Sequence, residues 1–394
     1  MNRLIVLILF LVFQANWGQA QMYSKTKTNN EKSSEFTKIM CDENSEDYLK
    51  VNEKETLQKH VEEIITSGGS KYSLKTGERT LGYSNKKLTT YKYGQESVEI
   101  VTYNVNDQGI FEEESLSTET PHVNIMPALK AGKIILSNDS EGFGSIFRVY
   151  TTDLVGKQHY IPYPQGFSNG TSAAINNKVT FVANSLDQKK MKIAGFKDEA
   201  QLFETEITTE YRAKKVYAFE DLFVIYGSKG GADRKLIVFD WNGKLIWENA
   251  YILPYFTSID ILYDNMQHKI FAVTGIATLT ILDSRSGELQ SKIQLDAKTS
   301  AKGIKLSKTN LGARVIDFKI VGNSIIISLG TFIREGEFSS NYHYTNPETL
   351  ILHTSGEVLQ KETQKGDFKI HQIIPSKTGF NIVTDKDIQS YERK

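Results

Sequence analysis

The chain is 394 residues long and balances 47 basic against 47 acidic side chains, giving a formal net charge of zero. With no excess of basic residues, no overall field favours the phosphate backbone of nucleic acid or an anionic membrane surface, and no nucleic-acid partner is expected. Glycine at 28 residues, proline at 7 and aromatics at 11% suit short strands joined by tight turns.

The first twenty residues stand apart from the rest. Arg3 supplies a positive start, Leu4 to Phe13 run apolar without a break, and Gly18-Gln19-Ala20 sets small residues before a cleavage point. Such a run spans about 15 Å as a helix, half a bilayer, so residues 1–20 read as a cleavable signal peptide rather than an anchor. Cleavage after Ala20 implies a secreted or periplasmic protein, and no later segment reaches membrane-spanning length. Cys41 is the single cysteine, so no internal disulfide is available and stability must come from packing.

Residues 21–43 are rich in Ser, Thr, Lys, Asn and Glu and read as disordered. An amphipathic helix is expected within 44–69. Leu57, Val61, Ile64 and Ile65 share one face, Asn52 and Glu55 form a capping box, and Gly68-Gly69 stops it.

Beyond Gly69 a strand-turn-strand phrase recurs. It is clearest at Leu236 to Trp247, around Asp240-Trp241-Asn242-Gly243, and again at Leu279 to Leu289, around Asp283-Ser284-Arg285-Ser286-Gly287. Further copies fall at Gly109, Gly156, Asp198 and Gly356, giving steps of 47, 42, 45, 44 and 69 residues. Four of these steps match one four-stranded blade, and the long one requires an insertion. Three more strands follow Gly356, at Lys369–Pro375, Gly379–Thr384 and Asp387–Arg393. The last sheet is therefore one strand short, and Lys71 to Lys75 is the expected N-terminal donor that closes it. The reading is all-β: a seven-bladed β-propeller over 70–394, or a six-bladed one if Arg79 to Leu116 is irregular. Alternation supports it, with Ile316, Phe318 and Ile320 opposed to Asp317 and Lys319. Ser324 to Ser328, apolar on both faces, fits a second strand sandwiched between blades.

The Asp-x-x-(x)-Gly-Lys/Glu-Leu phrase, with Trp247 four residues after Gly243, resembles the repeat of PQQ-like and WD40-like β-propellers. In quinoprotein repeats that Trp docks blade on blade; after Gly287 its place falls to Gln290 or Ser291. The resemblance covers most of 79–394 and implies fold rather than activity. PQQ enzymes of the familiar kind use an adjacent cysteine pair, which this chain lacks, so no quinone and no other cofactor is expected.

The repeated phrase is the short c–d turn of each blade, whereas the long connections are of the b–c and d–a kinds. They are Ser140–Gly144, Ser185–Lys190, Ser228–Arg234 and Phe332–Pro347, with Pro164–Gly170, Tyr251–Phe256 and Gln294–Gly312. One plain end and one elaborated end place a binding site on the elaborated one. Its candidate residues are Tyr163, Phe167, Tyr251, Tyr255, Phe256, Arg334, Tyr342, His343 and Tyr344, flat aromatic area with polar tips that suits glycans or extended peptides. Ser228 to Arg234 is glycine-rich and basic but lacks phosphate-loop spacing, and reads as turn chemistry.

The seven histidines show no compact ligand spacing, and His353 stands where other copies have Asp, so a turn role is expected and no metal site is assigned. No Gly-x-Ser-x-Gly elbow is present, and sequons stand at Asn138 and Asn169. The sequence supports an exported, non-catalytic, monomeric propeller that binds a protein or glycan through its long-loop face. The rivals are a propeller enzyme with a channel-mouth site (a Ca²⁺-dependent lactonase, or a polysaccharide lyase or hydrolase) and an envelope scaffold docking through the N-terminal helix.

Overall fold

The computed structural model describes residues 23–29, 38–41, 63–66 and 71–393. Within that last span it leaves out 85–86, 94–97, 119–124, 131–132, 139–145, 152–158, 163–165, 198–199, 231–232, 253–258, 275–276, 296–309, 335–341, 364–369, 377 and 385–387. Every element among the described residues is a strand. The fold is a β-propeller. Six blades are each built from four consecutive antiparallel strands: β5–β8 within 78–118, β9–β12 within 125–162, β13–β16 within 167–208, β17–β20 within 212–252, β21–β24 within 259–294 and β25–β28 within 310–363. A further four-stranded sheet is composite. It joins β29 (Ile370–Pro375), β30 (Gly379–Thr384) and β31 (Ile388–Arg393) to β1 (Tyr23–Asn29) from the other end of the chain.

The strand-short C-terminus is thus completed from the N-terminus, but by a different segment from the expected one. β1 runs antiparallel to β31, from Tyr23 opposite Arg393 to Asn29 opposite Ile388. Lys71–Ser73 is instead β4 of a separate three-stranded sheet with β2 (Lys38–Cys41) and β3 (Glu63–Thr66). Here β2 and β3 run parallel and β3 and β4 antiparallel. Tyr72 explains the difference, because its ring packs on Tyr103 and Phe111 of the β5–β8 blade at 4.5 and 5.3 Å. Two other expectations are corrected by the same strands. Residues 21–43 contain β1 and β2 rather than a wholly disordered stretch, and Ile64 and Ile65 lie in a strand, not a helix. The leader, the capping box and Leu57 to Val61 lie outside the described residues.

Contacts divide the chain into two compact units. One holds the described residues of 1–34, 271–281 and 289–394, and the other those of 35–270 and 282–288. The β21–β24 sheet supplies strands to both.

In the larger unit the second strands β14 (Lys178–Ser185) and β18 (Leu222–Ser228) are buried along almost their whole length. Both faces of such a strand are covered by neighbouring blades, which is why their sequences run apolar without alternation. The first strands touch one another, β5 with β9, β9 with β13 and β13 (Phe167–Ile175) with β17 (Arg212–Ala218), and so form the inner layer of the unit. Blade-to-blade packing there is apolar around Phe223, Phe239 and Trp241, with a buried polar staple. Asn184 accepts the Ala213 N–H at 2.7 Å and donates to the Ala213 carbonyl at 3.3 Å.

The outer strands alternate. β16 (Ala200–Thr208) sets Glu204 and Glu206 against Lys192 and Lys190 across the ladder at 2.5 and 2.7 Å. Such exposed pairs are worth at most about 1 kcal/mol, and their main effect is to keep a sheet edge charged against intermolecular pairing.

The c–d turns follow one chemistry. Asp240 Oδ1 accepts the N–H groups of Asn242 and Lys244, each at 2.9 Å. Asp283 Oδ1 accepts those of Arg285 and Ser286 at 2.9 and 2.8 Å, and Asn106 does the same for Gln108 and Ile110. Glycine then closes the turn in the left-handed region, with φ of +79° at Gly243 and +72° at Gly287.

Three of the turn glycines also receive a side chain from the preceding blade. Phe203 lies over Gly243, Trp247 over Gly287, and in the smaller unit Ile293 over Gly356. A Cβ on Gly287 would fall 2.6 Å from the Trp247 ring. Trp247 of β20 (Leu245–Ile252) donates its indole N–H to the Ser284 carbonyl at 2.7 Å, and Asn249 donates to Gly287 O at 2.6 Å. A one-residue bulge aims the docking residue inward, with Leu202 and Ile246 as the extra residues.

In the smaller unit β25 (Asn310–Val321), β26 (Ser324–Arg334), β27 (Tyr342–His353) and β28 (Val358–Thr363) form one blade, and β25 packs on β29. Ser324 to Ser328 is fully buried, as its two-faced apolarity requires. A bulge between Val315 and Asp317 breaks the expected alternation. Phe318 is buried, whereas Ile316 packs instead with the cluster of Ile326, Ile351, Ile373 and Tyr391.

Candidate functional site

The a–b and c–d hairpins leave one end of each blade, and the b–c and d–a connections leave the other. In the larger unit the second end is stitched together by its own polar groups. Leu186 N–H donates to Gly166 O at 2.9 Å, and Thr209 N–H to Lys189 O at 2.8 Å. Ser185 donates to Asp187 Oδ1, which also accepts the Lys189 N–H, and these bonds hold the Asp187 carboxyl below its ordinary range. Lys229 pairs with Glu210, lowering that carboxyl in turn, and the Tyr211 hydroxyl donates to Asp233 at 2.8 Å.

Arg234 spends its guanidinium on Ser228 Oγ at 2.8 Å and Gly230 O at 3.1 Å. The basic, glycine-rich Ser228 to Arg234 segment is therefore a self-satisfied turn. Lys235 lies 4.7 Å from the Tyr211 ring centre and pairs with Glu248 at 3.0 Å. Among the described residues, the polar groups at this end of the unit largely bond one another.

The smaller unit carries the larger elaboration, and its form differs from the expected sixteen-residue loop. The described residues of this segment, 332–334 and 342–347, are strand: Thr331 pairs with Thr345, Phe332 with Tyr344, Ile333 with His343 and Arg334 with Tyr342. β26 and β27 are 11 and 12 residues long, against 6 for β28, which pairs with β27 only from Glu348 to Leu352. Among the described residues the ribbon thus runs past β28, while β25 stays beside it as far as Asn310 opposite Ile333. Pro347 falls where the register shifts between Leu329 and Thr331, a bulge that tolerates its missing N–H. The two-residue period places Phe332, Arg334, Tyr342 and Tyr344 on one face of the ribbon and Ile333 and His343 on the other.

The candidates therefore separate into groups. Arg334, Tyr342, His343 and Tyr344 are brought together, on paired strands rather than in a loop. Phe167 opens β13 opposite Ser185, and Tyr251 lies in β20 opposite Arg234, so these two are also strand residues. Tyr163, Tyr255 and Phe256 lie outside the described residues. The sequence reading missed Phe332, the residue paired with Tyr344, although alternation back from Arg334 would have found it.

Histidine follows the turn role expected of it at one position. His353 Nδ1 accepts the Ser355 N–H at 3.2 Å, standing in for the aspartate of other turns. His268 Nε2 meets Arg285 Nη2 at 2.5 Å beside the Asp283 turn. Among the described residues no three His, Cys, Asp or Glu side chains gather as metal ligands, and no helix is long and apolar enough to cross a membrane.

No family model matches the chain, and no curated protein does. Solved structures do resemble it. Apo AztD from Citrobacter koseri is 14% identical, covering 81% of this chain and 77% of that one, with a TM-score of 0.44. A europium-containing methanol dehydrogenase is 9% identical over 82% and 80%, at 0.45. BamB from Moraxella catarrhalis is 11% identical over 77% and 95%, at 0.36. These likenesses concern the fold alone.

Proposed function

We propose that the chain is an exported, non-catalytic propeller of seven blades, the composite sheet counted as one, which binds a glycan or protein polymer. The binding element is the β26–β27 ribbon. One observation carries the reading: the blade's middle strands outgrow its edge strand and set Phe332, Arg334, Tyr342 and Tyr344 on one face. Adjacent strands lie about 5 Å apart and same-face residues about 7 Å apart along the strand, so four such positions make a platform roughly the size of one sugar ring. Export rests on the leader-like residues 1–20.

The test shortens the ribbon by replacing Ile333 to His343 with Asn-Gly, which leaves the ladder of 324–329 with 348–353 in place. Intact and shortened proteins are assayed on arrays of polysaccharides and extended peptides. The intact chain should be retained by at least one class, and the shortened one should lose at least about ten-fold in affinity at unchanged Tm. Equal retention by the two proteins would remove the ribbon from the function.

A further inference from the structure

The wall that β25–β28 turns toward the composite sheet is polar along one row. The register sets Asp317, Ser328, Thr349 and Glu362 side by side across the four strands. The two outer members hold the composite sheet. Asp317 Oδ2 accepts the Ile373 N–H at 2.7 Å, and Glu362 Oε2 accepts the Tyr391 hydroxyl at 2.8 Å.

The two middle hydroxyls are different. Ser328 is 0% exposed and Thr349 1%, and neither has a hydrogen-bond partner. Ser324, also 0% exposed and four residues from Ser328 on the same strand face, has none either. Between them Ile326 and Ile351 pack on Ile373, Phe380, Ile382 and Tyr391, so the seam alternates greasy contact with unspent hydroxyls. The packing of β14 on β17 has no such row, because its buried amide, Asn184, is bonded at both ends to Ala213.

A buried hydroxyl without a partner keeps the full penalty of leaving water, and regains its hydrogen bonds as soon as water enters. We infer that this seam is a built-in joint: the composite sheet parts from β25–β28 as a unit, exposing Ser324, Ser328 and Thr349, while the blade stays folded. The Asp317 and Glu362 bonds and the apolar contacts hold the seam, so opening leaves the β25–β28 ladders closed while the composite sheet, stripped of its apolar cover, becomes able to exchange. Proteins open in such contiguous pieces, at free energies well below that of global unfolding.

Hydrogen exchange of the full chain tests the joint by mass spectrometry. Amides of 370–375, 379–384 and 388–393 should exchange through an opening that leaves 324–329 protected. The double variant Ser328→Ala with Thr349→Val keeps the side-chain shapes and removes two unspent hydroxyls. It should slow exchange in 370–393 about ten-fold or more. Two results would overturn the inference: exchange of 370–393 only in step with 324–329, or a double variant that exchanges as fast as the parent or faster.

Discussion

Replacing Trp247 with alanine should cost about 3–5 kcal/mol of stability, measured as a shift in the urea midpoint at unchanged m-value. The indole is only 8% exposed and lies against the backbone of the next c–d turn, so truncation leaves a cavity that the rigid turn cannot fill. It also deprives the Ser284 carbonyl of its donor at 2.7 Å. Trp247→Phe retains most of the area but not the N–H, and should cost about 1–2 kcal/mol.

Gly287→Ala should be costly for two reasons, its φ of +72° and the 2.6 Å approach of a Cβ to the ring. Combined with Trp247→Ala, the clash with the ring disappears, while the backbone strain and the 2.8 Å approach to Asn249 Nδ2 remain. The double variant should therefore be more stable than the sum of the two losses predicts. Strict additivity would mean that the ring and the glycine are not in contact.

Removal of the Glu78 carboxylate should cost roughly 3 kcal/mol or more, because it leaves several buried donors without an acceptor. Glu78 is buried at the start of β5 (Glu78–Ser84) and accepts from the Tyr72 and Tyr103 hydroxyls at 3.0–3.1 Å. It also accepts from the Thr90 hydroxyl and from the Lys75 N–H at 2.7 Å. Glu78→Ala should free the β2–β4 sheet from the β5–β8 blade, seen as protease cleavage within 66–78 before global unfolding.

The same cluster sets an alkaline limit. Burial pushes the Tyr72 hydroxyl well above its ordinary range, with the Tyr103 hydrogen bond and the Glu78 charge acting in the same direction. Tyr103 is raised as well, chiefly by burial. The folded chain thus holds these protons more tightly than the unfolded chain. Their contribution is complete below the unfolded tyrosine pKa of about 10 and is lost as pH climbs above it. Urea midpoints from pH 8 to 11 should fall steeply above 10 in the parent and less steeply in Tyr72→Phe. An identical slope in the two proteins would assign the alkaline loss to other groups.

Much of the propeller was legible because its repeat has a local cause. An Asp or Asn that caps backbone N–H groups, followed by a glycine at positive φ, is written in adjacent residues, so Gly109, Gly243, Gly287 and Gly356 marked their turns correctly. What pairs across long sequence separation was less legible. Lys71 to Lys75 and Tyr23 to Asn29 are both short, polar and strand-compatible. Only the fit of the Tyr72 ring and hydroxyl to Tyr103, Phe111 and Glu78 decides which of them goes elsewhere. The Trp-like position after Gly287 was misplaced for a related reason. The docking residue is Ile293 rather than Gln290 or Ser291, and the spacing from turn glycine to docking side chain differs from one copy to the next. Of the proposed site, aromatic content pointed to Tyr342 and Tyr344, but the described residues beside them, 332–334 and 342–347, are strand where a loop was expected, since Pro347 sits at a bulge instead of ending the strand.

Pairing Tyr23–Asn29 with Ile388–Arg393 has a consequence for synthesis. In chain order β1 precedes all six blades and its partner β31 follows all of them, so a nascent chain acquires the second strand only after the blades have been made. Until then β1 waits unpaired, and the slow step is a loop closure over nearly the full contour of the polypeptide.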